Sequence, residues 1–193
     1  MSLLRYRPEF FESMREVRLP FEAEVLRSLR AGDMISLTGL LYTGRDQTHR
    51  RLCALLDAGA PLPVDLEGQL LYYVGPTPPR PGQVIGAAGP TTSYRMDAYT
   101  PRLLDCGLKG TMGKGQRSAE VRAAQKIHGA VYLASIGGAG ALLSKCVTAA
   151  ELVAFADAGP EAMFRFEVRQ FPAVVINDVE GNDYYDMVAA AGW

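Results

Sequence analysis

The chain has 193 residues, a length that suits one well-buried domain. Its 20 lysines and arginines against 21 aspartates and glutamates leave no broad basic surface for phosphate backbones, so a nucleic-acid role is not expected. Acidic residues interrupt the first segment before an apolar run can form, and no later stretch is long and apolar enough to span a membrane. We therefore expect a cytoplasmic protein that makes no use of a membrane.

The three cysteines, Cys53, Cys106 and Cys146, lie far apart and are odd in number. This spacing argues against a disulfide framework and against a compact cysteine metal site. We expect them to be small buried side chains that stay reduced in the cytosol. We also expect no metal to be held by this chain alone.

Helices and strands alternate in the first half of the chain, where breaker residues separate segments of helical and strand periodicity. The predicted elements are, in order, a helix over 20–31, a strand over 34–42, a helix over 46–57, and strands over 70–74 and 83–88. Two Gly-Pro-Thr triplets, at 75 and 89, close the last two of these strands with loops.

The second half continues the alternation. The predicted elements are a glycine-broken strand and turn over 108–115, a helix over 118–128 with Ser118 as its N-cap, a strand over 130–136, a glycine turn at 137–140 followed by a short Ala/Leu helix, strands over 164–169 and 173–177, and a turn over 178–183. Such alternation favours an α/β layer structure over a helical bundle or a β-sandwich.

Polar loops rich in glycine follow four of the predicted strands, at residues 43–49, 89–97, 110–117 and 135–140. Ligands of α/β proteins usually bind where strands end. We therefore expect these four loops to converge on one site.

The loops carry the side chains that an anionic ligand needs. They contain the cations Arg45, Arg95, Lys114 and Arg117, the hydroxyls of Thr91, Thr92 and Ser93, and His49. An arginine guanidinium group can form two parallel hydrogen bonds with one carboxylate, and a lysine adds a compact positive charge. The set therefore predicts a site for a small dicarboxylic acid. Taken singly, each arginine is more simply read as a solvated surface charge.

Neither the glycine run at 137–140 nor the segment MGKG at 112–115 fits a nucleotide-binding loop. The run 137–140 lacks the GxGxxG spacing, and Gly115 stands where a P-loop requires Ser or Thr after the Gly-Lys pair. Tight turns between strand and helix explain the glycines at 137–140 better. His128, next to Gly129, is expected to cap the C-terminus of its helix.

Four segments, which together extend over most of residues 20–185, are characteristic of one protein family and occur in the same order as in that family: TGRDQTHRR, GPTTSYRMDAYT, KGQRS and FPAVVINDVEGND. Together they resemble the β subunit of class I fumarases and of the related L(+)-tartrate dehydratases. The resemblance implies a single swivelling β/β/α domain over residues 20–193, preceded by an N-terminal extension at 1–19. In single-chain members of the family, the same sequence forms the C-terminal domain.

The resemblance also implies a cofactor and a partner. An α subunit would carry a four-iron, four-sulfur cluster on its own cysteines and join this chain in a hetero-oligomer. One iron without a protein ligand would act as a Lewis acid on the substrate hydroxyl. The implied reaction is the reversible hydration of fumarate to malate. KGQRS favours fumarase, whereas GPTTSYRM fits both activities, so an L(+)-tartrate dehydratase β subunit and a non-catalytic dicarboxylate-binding domain remain alternatives.

The resemblance assigns roles to residues by position. Arg45, Arg95 and Lys114 match the ligands of the substrate carboxylates, with Thr92 beside them, and Thr91 matches the proposed base. A threonine hydroxyl needs a nearby cation such as Lys114 or Arg95 to act in this way. His49 is the rival base because imidazole titrates near neutral pH, although an orienting role for Arg45 or Asp46 is an equal alternative.

Two carboxylates are expected to form ion pairs with arginines of the site. Asp46 is expected to pair with an arginine, and Asp97 is expected to pair with Arg95.

Overall fold

The computed structural model describes residues 14–135 and 139–192. Its strands are β1 (Arg15–Leu19), β2 (Met34–Thr43), β3 (Leu70–Tyr72), β4 (Gly110–Gly113), β5 (Val131–Ala134), β6 (Val147–Ala154) and β7 (Met163–Asn177). Its α-helices are α1 (Ala23–Ser28), α2 (Asp46–Asp57), α3 (Thr100–Asp105), α4 (Ala119–His128), α5 (Gly140–Leu143) and α6 (Tyr184–Ala190). Short 3-10 turns cover Ser93–Met96, Ser144–Cys146 and Ala156–Glu161.

Strands β1 to β5 run parallel in chain order, and β7 runs antiparallel to β5, β6 and β2. Because β7 pairs with both β5 and β2, the strands β2, β3, β4, β5 and β7 form a closed circuit of hydrogen-bonded neighbours. Helices connect the parallel strands, as parallel pairing requires. The expected α/β class is confirmed.

Two apolar clusters pack on the two faces of β3, because successive side chains of a strand point to opposite sides. Leu70 packs in one cluster with residues of β2 and β7, namely Ile35, Leu37, Phe166 and Phe171. Leu71 packs in the other with residues of the helical layer, namely Leu52, Leu103, Leu104 and Leu108. Complete burial of such side chains stabilises the fold by roughly 1.5–3 kcal/mol each.

The two longest helices have nearly the bounds that helical periodicity and capping residues predict from the sequence. Helix α2 covers the expected residues 46–57. Helix α4 starts after Ser118, whose side-chain oxygen accepts a hydrogen bond from the Val121 backbone nitrogen at 3.3 Å. It ends at His128, before Gly129 in the left-handed conformation with φ of 59°.

Several expected elements differ from the structure. The strand expected at 83–88 is wrong, because this segment is a loop tied to Thr77 by local turn bonds, and the neighbouring prolines lack the donors for a ladder. The two strands expected at 164–169 and 173–177 are one strand, β7, because pairing with β2 continues across Phe171 and Pro172. Residues 15–19, expected to belong to an N-terminal extension, form β1 of the sheet.

Within 14–135 and 139–192, every helix is too short or too polar to cross a bilayer. The three cysteines are free; Cys53 is buried as expected, whereas Cys106 and Cys146 are partly exposed, so the expectation that they are buried is wrong. Burial raises the pKa of all three thiols above their ordinary value, so they remain protonated at neutral pH.

Candidate active site

Loops that follow the parallel strands converge at one edge of the sheet. The loops 89–97 and 110–117 are joined by backbone bonds from Ser93 N to Lys114 O at 2.8 Å and from Lys114 N to Thr91 O at 3.2 Å. The loop 43–49 joins them through Asp46, whose carboxylate binds Arg95. Convergence of these three loops is therefore confirmed.

The fourth loop is described only in part. The Ser135 backbone nitrogen donates to the carbonyl of Gly113 at 2.9 Å, and the Gly140 carbonyl accepts from Ala88 at 3.0 Å. Both ends therefore contact the neighbouring loops. Gly137 and Gly138, where a tight turn was expected, lie outside the described residues.

Arg45 lies immediately before α2, in extended conformation, and its side chain is about one quarter exposed. Its Nη2 atom is 3.3 Å from a carboxylate oxygen of Glu161. Its Nε atom is buried and has no hydrogen-bond partner among the described residues. The same Glu161 carboxylate accepts a bond from the Gln47 backbone nitrogen, so it fixes both the start of α2 and the arginine before it.

Asp46 and Arg95 form a two-point ion pair that joins two loops. The Arg95 Nε atom donates to one Asp46 oxygen at 3.0 Å, and Nη2 lies 2.8 Å from the other. The exposed fraction of the side chain is 40% for Arg95 and 33% for Asp46. The expectation that Asp46 pairs with an arginine is confirmed, and the pair brings the Arg95 guanidinium to the residue next to Arg45.

Asp97 does not have the expected partner. Its carboxylate accepts from Arg117 Nε at 2.7 Å and from the Ser118 backbone nitrogen at 2.7 Å, so the expected Asp97–Arg95 pair is wrong. The Arg117 side chain is fully buried. It donates to the hydroxyls of Thr111 and Thr100 as well.

Arg117 is therefore a structural cation, in contrast to its sequence-based grouping with the ligand-binding cations. Its guanidinium carbon lies 5.3 Å from the ring centroid of Tyr73 and 5.1 Å from that of Tyr132. These distances are those of cation–π contacts, which are strongest when the cation is desolvated.

Thr91 and Thr92 lie beside Lys114, just beyond the C-terminal ends of β3 and β4. The Thr91 backbone nitrogen donates to Tyr73 O at 2.7 Å, which extends β3, and Thr92 pairs with Lys114 in a parallel bridge. Thr91 and Thr92 are partly buried and Lys114 is exposed. A Cβ on Gly113 would lie 2.1 Å from Ser93 Oγ, so glycine is needed for this close approach.

His49 lies in α2, four residues after Arg45, and is completely buried. Its Nδ1 atom is 2.8 Å from the Arg45 carbonyl, and since a carbonyl only accepts, Nδ1 carries the proton. The ring meets Tyr73 edge to face at 5.1 Å. The other nitrogen, Nε2, is buried and lacks a partner within the described part of the chain.

Burial is the main reason why the pKa of His49 falls from 6.5 to about 4. The bond to the Arg45 carbonyl raises this pKa in part, and the charge of Arg117 lowers it further. His49 is thus neutral at pH 7 and presents a lone pair on Nε2.

Sequence reasoning missed Glu161, Tyr73 and Tyr132, which hold the site in place. Glu161 contacts Arg45 across 116 positions of sequence, and the two tyrosines lie inside apolar strand segments where they read as core residues. Pairing across such distances leaves no local periodicity or motif.

A family model described as Fumarase C-terminus matches residues 5–188. The chain is 40% identical over 156 residues to the anaerobic class I fumarate hydratase of Escherichia coli strain K12, which covers 80% of this chain and 28% of that protein. It is 38% identical over 161 residues to fumarate hydratase 2 of Leishmania major, which covers 82% of this chain and 28% of that protein.

A third relative is similar in length. The chain is 34% identical over 169 residues to a Methanocaldococcus jannaschii protein assigned as L(+)-tartrate dehydratase subunit beta, which covers 84% of this chain and 87% of that protein. By contrast, the chain spans about a third or less of the length of the fumarate hydratases that it matches.

Proposed function

Because the chain belongs to the fumarase C-terminus family, we propose that it is the β subunit of an iron–sulfur-dependent hydro-lyase that reversibly hydrates fumarate to malate. The observation that supports the proposal is that Arg45, Arg95 and Lys114 lie on loops that adjoin through the Arg95–Asp46 ion pair and the Thr92–Lys114 bridge. Separate cations suit a substrate with two carboxylates. The same proposal places the chain as one swivelling domain against its partner.

The residues that the structure describes do not fit an iron–sulfur cluster. Across 14–135 and 139–192, no three side chains of His, Cys, Asp or Glu gather into a group that could hold a metal ion. Such clusters are held by cysteine thiolates, and the thiols here have raised pKa values. We therefore assign the cluster to an α subunit.

The cations of this chain serve the charge that develops during the reaction. Removal of a proton from the carbon next to a carboxylate leaves two negative charges on that group. Fixed cations stabilise this charge best when they need no rearrangement. The contacts of Arg45 with Glu161 and of Arg95 with Asp46 hold both guanidinium groups before substrate arrives.

Two residues are candidates for the base that takes this proton. His49 is supported by its neutral state and by the unpartnered lone pair on Nε2. Thr91 is supported by its backbone bond to Lys114, which keeps it beside a cation. We expect His49→Asn or Thr91→Ala, whichever removes the base, to abolish exchange of a malate methylene proton with solvent. Exchange that persists in both variants would exclude both residues.

A direct test of the carboxylate site uses the complex of this chain with its α subunit. Arg45→Lys keeps the charge but loses the fork, so kcat/KM should fall by about 10²-fold. Arg50→Lys, on the exposed side of α2, is the matched control and should stay close to wild type. Equal activity of the two variants would contradict the assignment of Arg45.

An L(+)-tartrate dehydratase β subunit is the second candidate, because the archaeal subunit is matched over 87% of its length. Assays of the complex with malate and with tartrate separately distinguish the two. Preference for tartrate would replace the first choice. Binding of both acids without turnover would favour a non-catalytic dicarboxylate-binding domain.

A further inference from the structure

The Tyr132 hydroxyl on β5 lies between two of the loops that form the site. It donates a hydrogen bond to the Gly115 carbonyl at 2.7 Å and lies 2.9 Å from Ser93 Oγ. Because a phenol has one proton and the carbonyl can only accept, Ser93 donates to the Tyr132 oxygen. A single buried hydroxyl therefore joins the loop 89–97 to the loop 110–117.

The Tyr132 ring is itself held in place. It is completely buried, and the Arg117 guanidinium carbon lies 5.1 Å from its centroid. Arg117 is fixed in turn by hydrogen bonds to Asp97, Thr100 and Thr111. Burial raises the pKa of the Tyr132 hydroxyl above its ordinary value, so the hydroxyl keeps its proton at working pH.

The residues that Tyr132 joins are neighbours of the proposed substrate ligands. Ser93 follows Thr91 and Thr92, and its backbone nitrogen bonds Lys114 O at 2.8 Å. Gly115 follows Lys114. The hydroxyl thus adds a second connection between the two segments, beyond the backbone bridge.

We infer that Tyr132 is a positioning residue of the active site, which sets the placement of Thr91 and Thr92 relative to Lys114. The inference rests on the proposed function. Groups that stabilise developing charge must be placed within a fraction of an ångström, and small displacements reduce turnover more than they reduce binding. The Tyr132 hydroxyl supplies this placement from a rigid strand.

Tyr132→Phe in the complete complex is the test, since it removes one atom and keeps the ring on Arg117. We expect kcat to fall about tenfold, while KM changes less than about threefold. Ser93→Ala should give a similar loss, and the double variant should lose no more than the worse single variant, because either change interrupts the same connection from Ser93 through Tyr132 to Gly115. Unchanged kcat in Tyr132→Phe, or additive losses, would overturn the inference.

Tyr72→Phe is the matched control. Its hydroxyl is equally buried and donates to the Ala88 carbonyl at 2.6 Å on the other face of the sheet. We expect a kcat within about twofold of wild type, since this bond ends at Ala88, before the loop 89–97, and its loss removes no connection between the two loops. A loss equal to that of Tyr132→Phe would overturn the special role of Tyr132.

Amide hydrogen exchange separates this inference from the proposed function, because it does not depend on turnover. The amides of Ser93 and Lys114 should exchange faster in Tyr132→Phe than in wild type or in Tyr72→Phe. Unchanged protection would overturn the inference even in an active complex. An inactive wild-type complex with faster exchange in Tyr132→Phe would instead count against the proposed function alone.

Discussion

His49 combines a position in the site with complete burial, and the two together fix its charge. An imidazole that cannot be hydrated favours its neutral form, which explains the pKa of about 4. The Nδ1 proton is committed to the Arg45 carbonyl. The Nε2 atom therefore stays unprotonated until the pH falls to about 4.

Folding stability should depend on pH through His49. In the unfolded chain His49 binds a proton below pH 6.5, whereas in the folded chain it stays neutral until about pH 4. The unfolded state then binds more protons in this window, so stability falls as pH falls. Between pH 7 and 5 the loss from this group should be about 2 kcal/mol.

Urea denaturation at pH 7 and at pH 5 measures this effect. His49→Asn keeps a donor for the Arg45 carbonyl but has no imidazole to titrate. Its free energy of unfolding should therefore fall less on acidification than that of the wild type. Equal falls in both proteins would show that the pKa of His49 is the same in the folded and unfolded states.

Gly75 determines the space available to Arg45. An alanine Cβ at this position would lie 3.0 Å from Pro160 O and 3.1 Å from both Cδ and Nη1 of Arg45. The backbone oxygen has little freedom to move, so the arginine side chain must shift. We expect Gly75→Ala to fold and to lower kcat/KM by about tenfold through misplacement of Arg45.

Steady-state kinetics of Gly75→Ala, of Arg45→Lys and of the double variant, each in the complex, tests whether Gly75 acts through Arg45. If Gly75 acts through Arg45, the double variant should be no worse than Arg45→Lys alone. Independent, additive losses would show that Gly75→Ala disturbs another part of the site.

The sequence indicated the charged groups of the site but not their partners. Arg45, Arg95 and Lys114 were visible because polar loops follow strands. The pairs Arg95–Asp46 and Arg117–Asp97 were not distinguishable, because ion-pair choice depends on tertiary distances of a few ångströms. The burial of Arg117 between two tyrosine rings gave no signal in the sequence.

Helix α4 begins at a junction where Asp97 serves two elements. One Asp97 oxygen accepts from the Ser118 backbone nitrogen at the helix start, and the other accepts from buried Arg117. A carboxylate near a helix N-terminus also interacts favourably with the helix dipole. The loop that carries Thr91 and Thr92 is thereby attached to the start of α4.

Asp97→Asn should destabilise the fold by about 3 kcal/mol, because it leaves the Arg117 charge buried without a counter-charge. The matched control is Asp57→Asn, which breaks an ion pair with Arg102 of the same 2.7 Å length at the surface. That change should cost at most about 1 kcal/mol. Chemical denaturation of both variants measures the difference, and comparable losses would contradict the importance of burial.

Elements whose sequence shows a regular apolar pattern and capping residues at the ends were the most predictable. Helices α2 and α4 have an apolar face, and α4 has a capping serine and a terminal glycine. Strand β6 is mostly exposed along its length, so its sequence lacks the alternation that marks a half-buried strand. The segment 83–88 had apolar residues typical of a strand, but no partner strand was available beside the prolines.

At the scale of the molecule, the chain provides cations, hydroxyls and an imidazole but gathers no metal ligands in its described ranges. Under the proposed function, an α subunit supplies the iron chemistry. The isolated chain, purified without oxygen, should contain little iron, whereas the co-purified complex should be brown and contain iron. Colorimetric iron analysis of both preparations decides this, and stoichiometric iron in the isolated chain would contradict the assignment of the cluster to a partner.

The closed circuit of strands limits how the molecule can open. In the described part of the chain, β1 and β6 lie outside the circuit, so either can fray without separating the other strands. No member of the circuit can be peeled away without breaking two ladders at once. Opening of the sheet beneath the candidate site should therefore cost more free energy than fraying of β1 or β6.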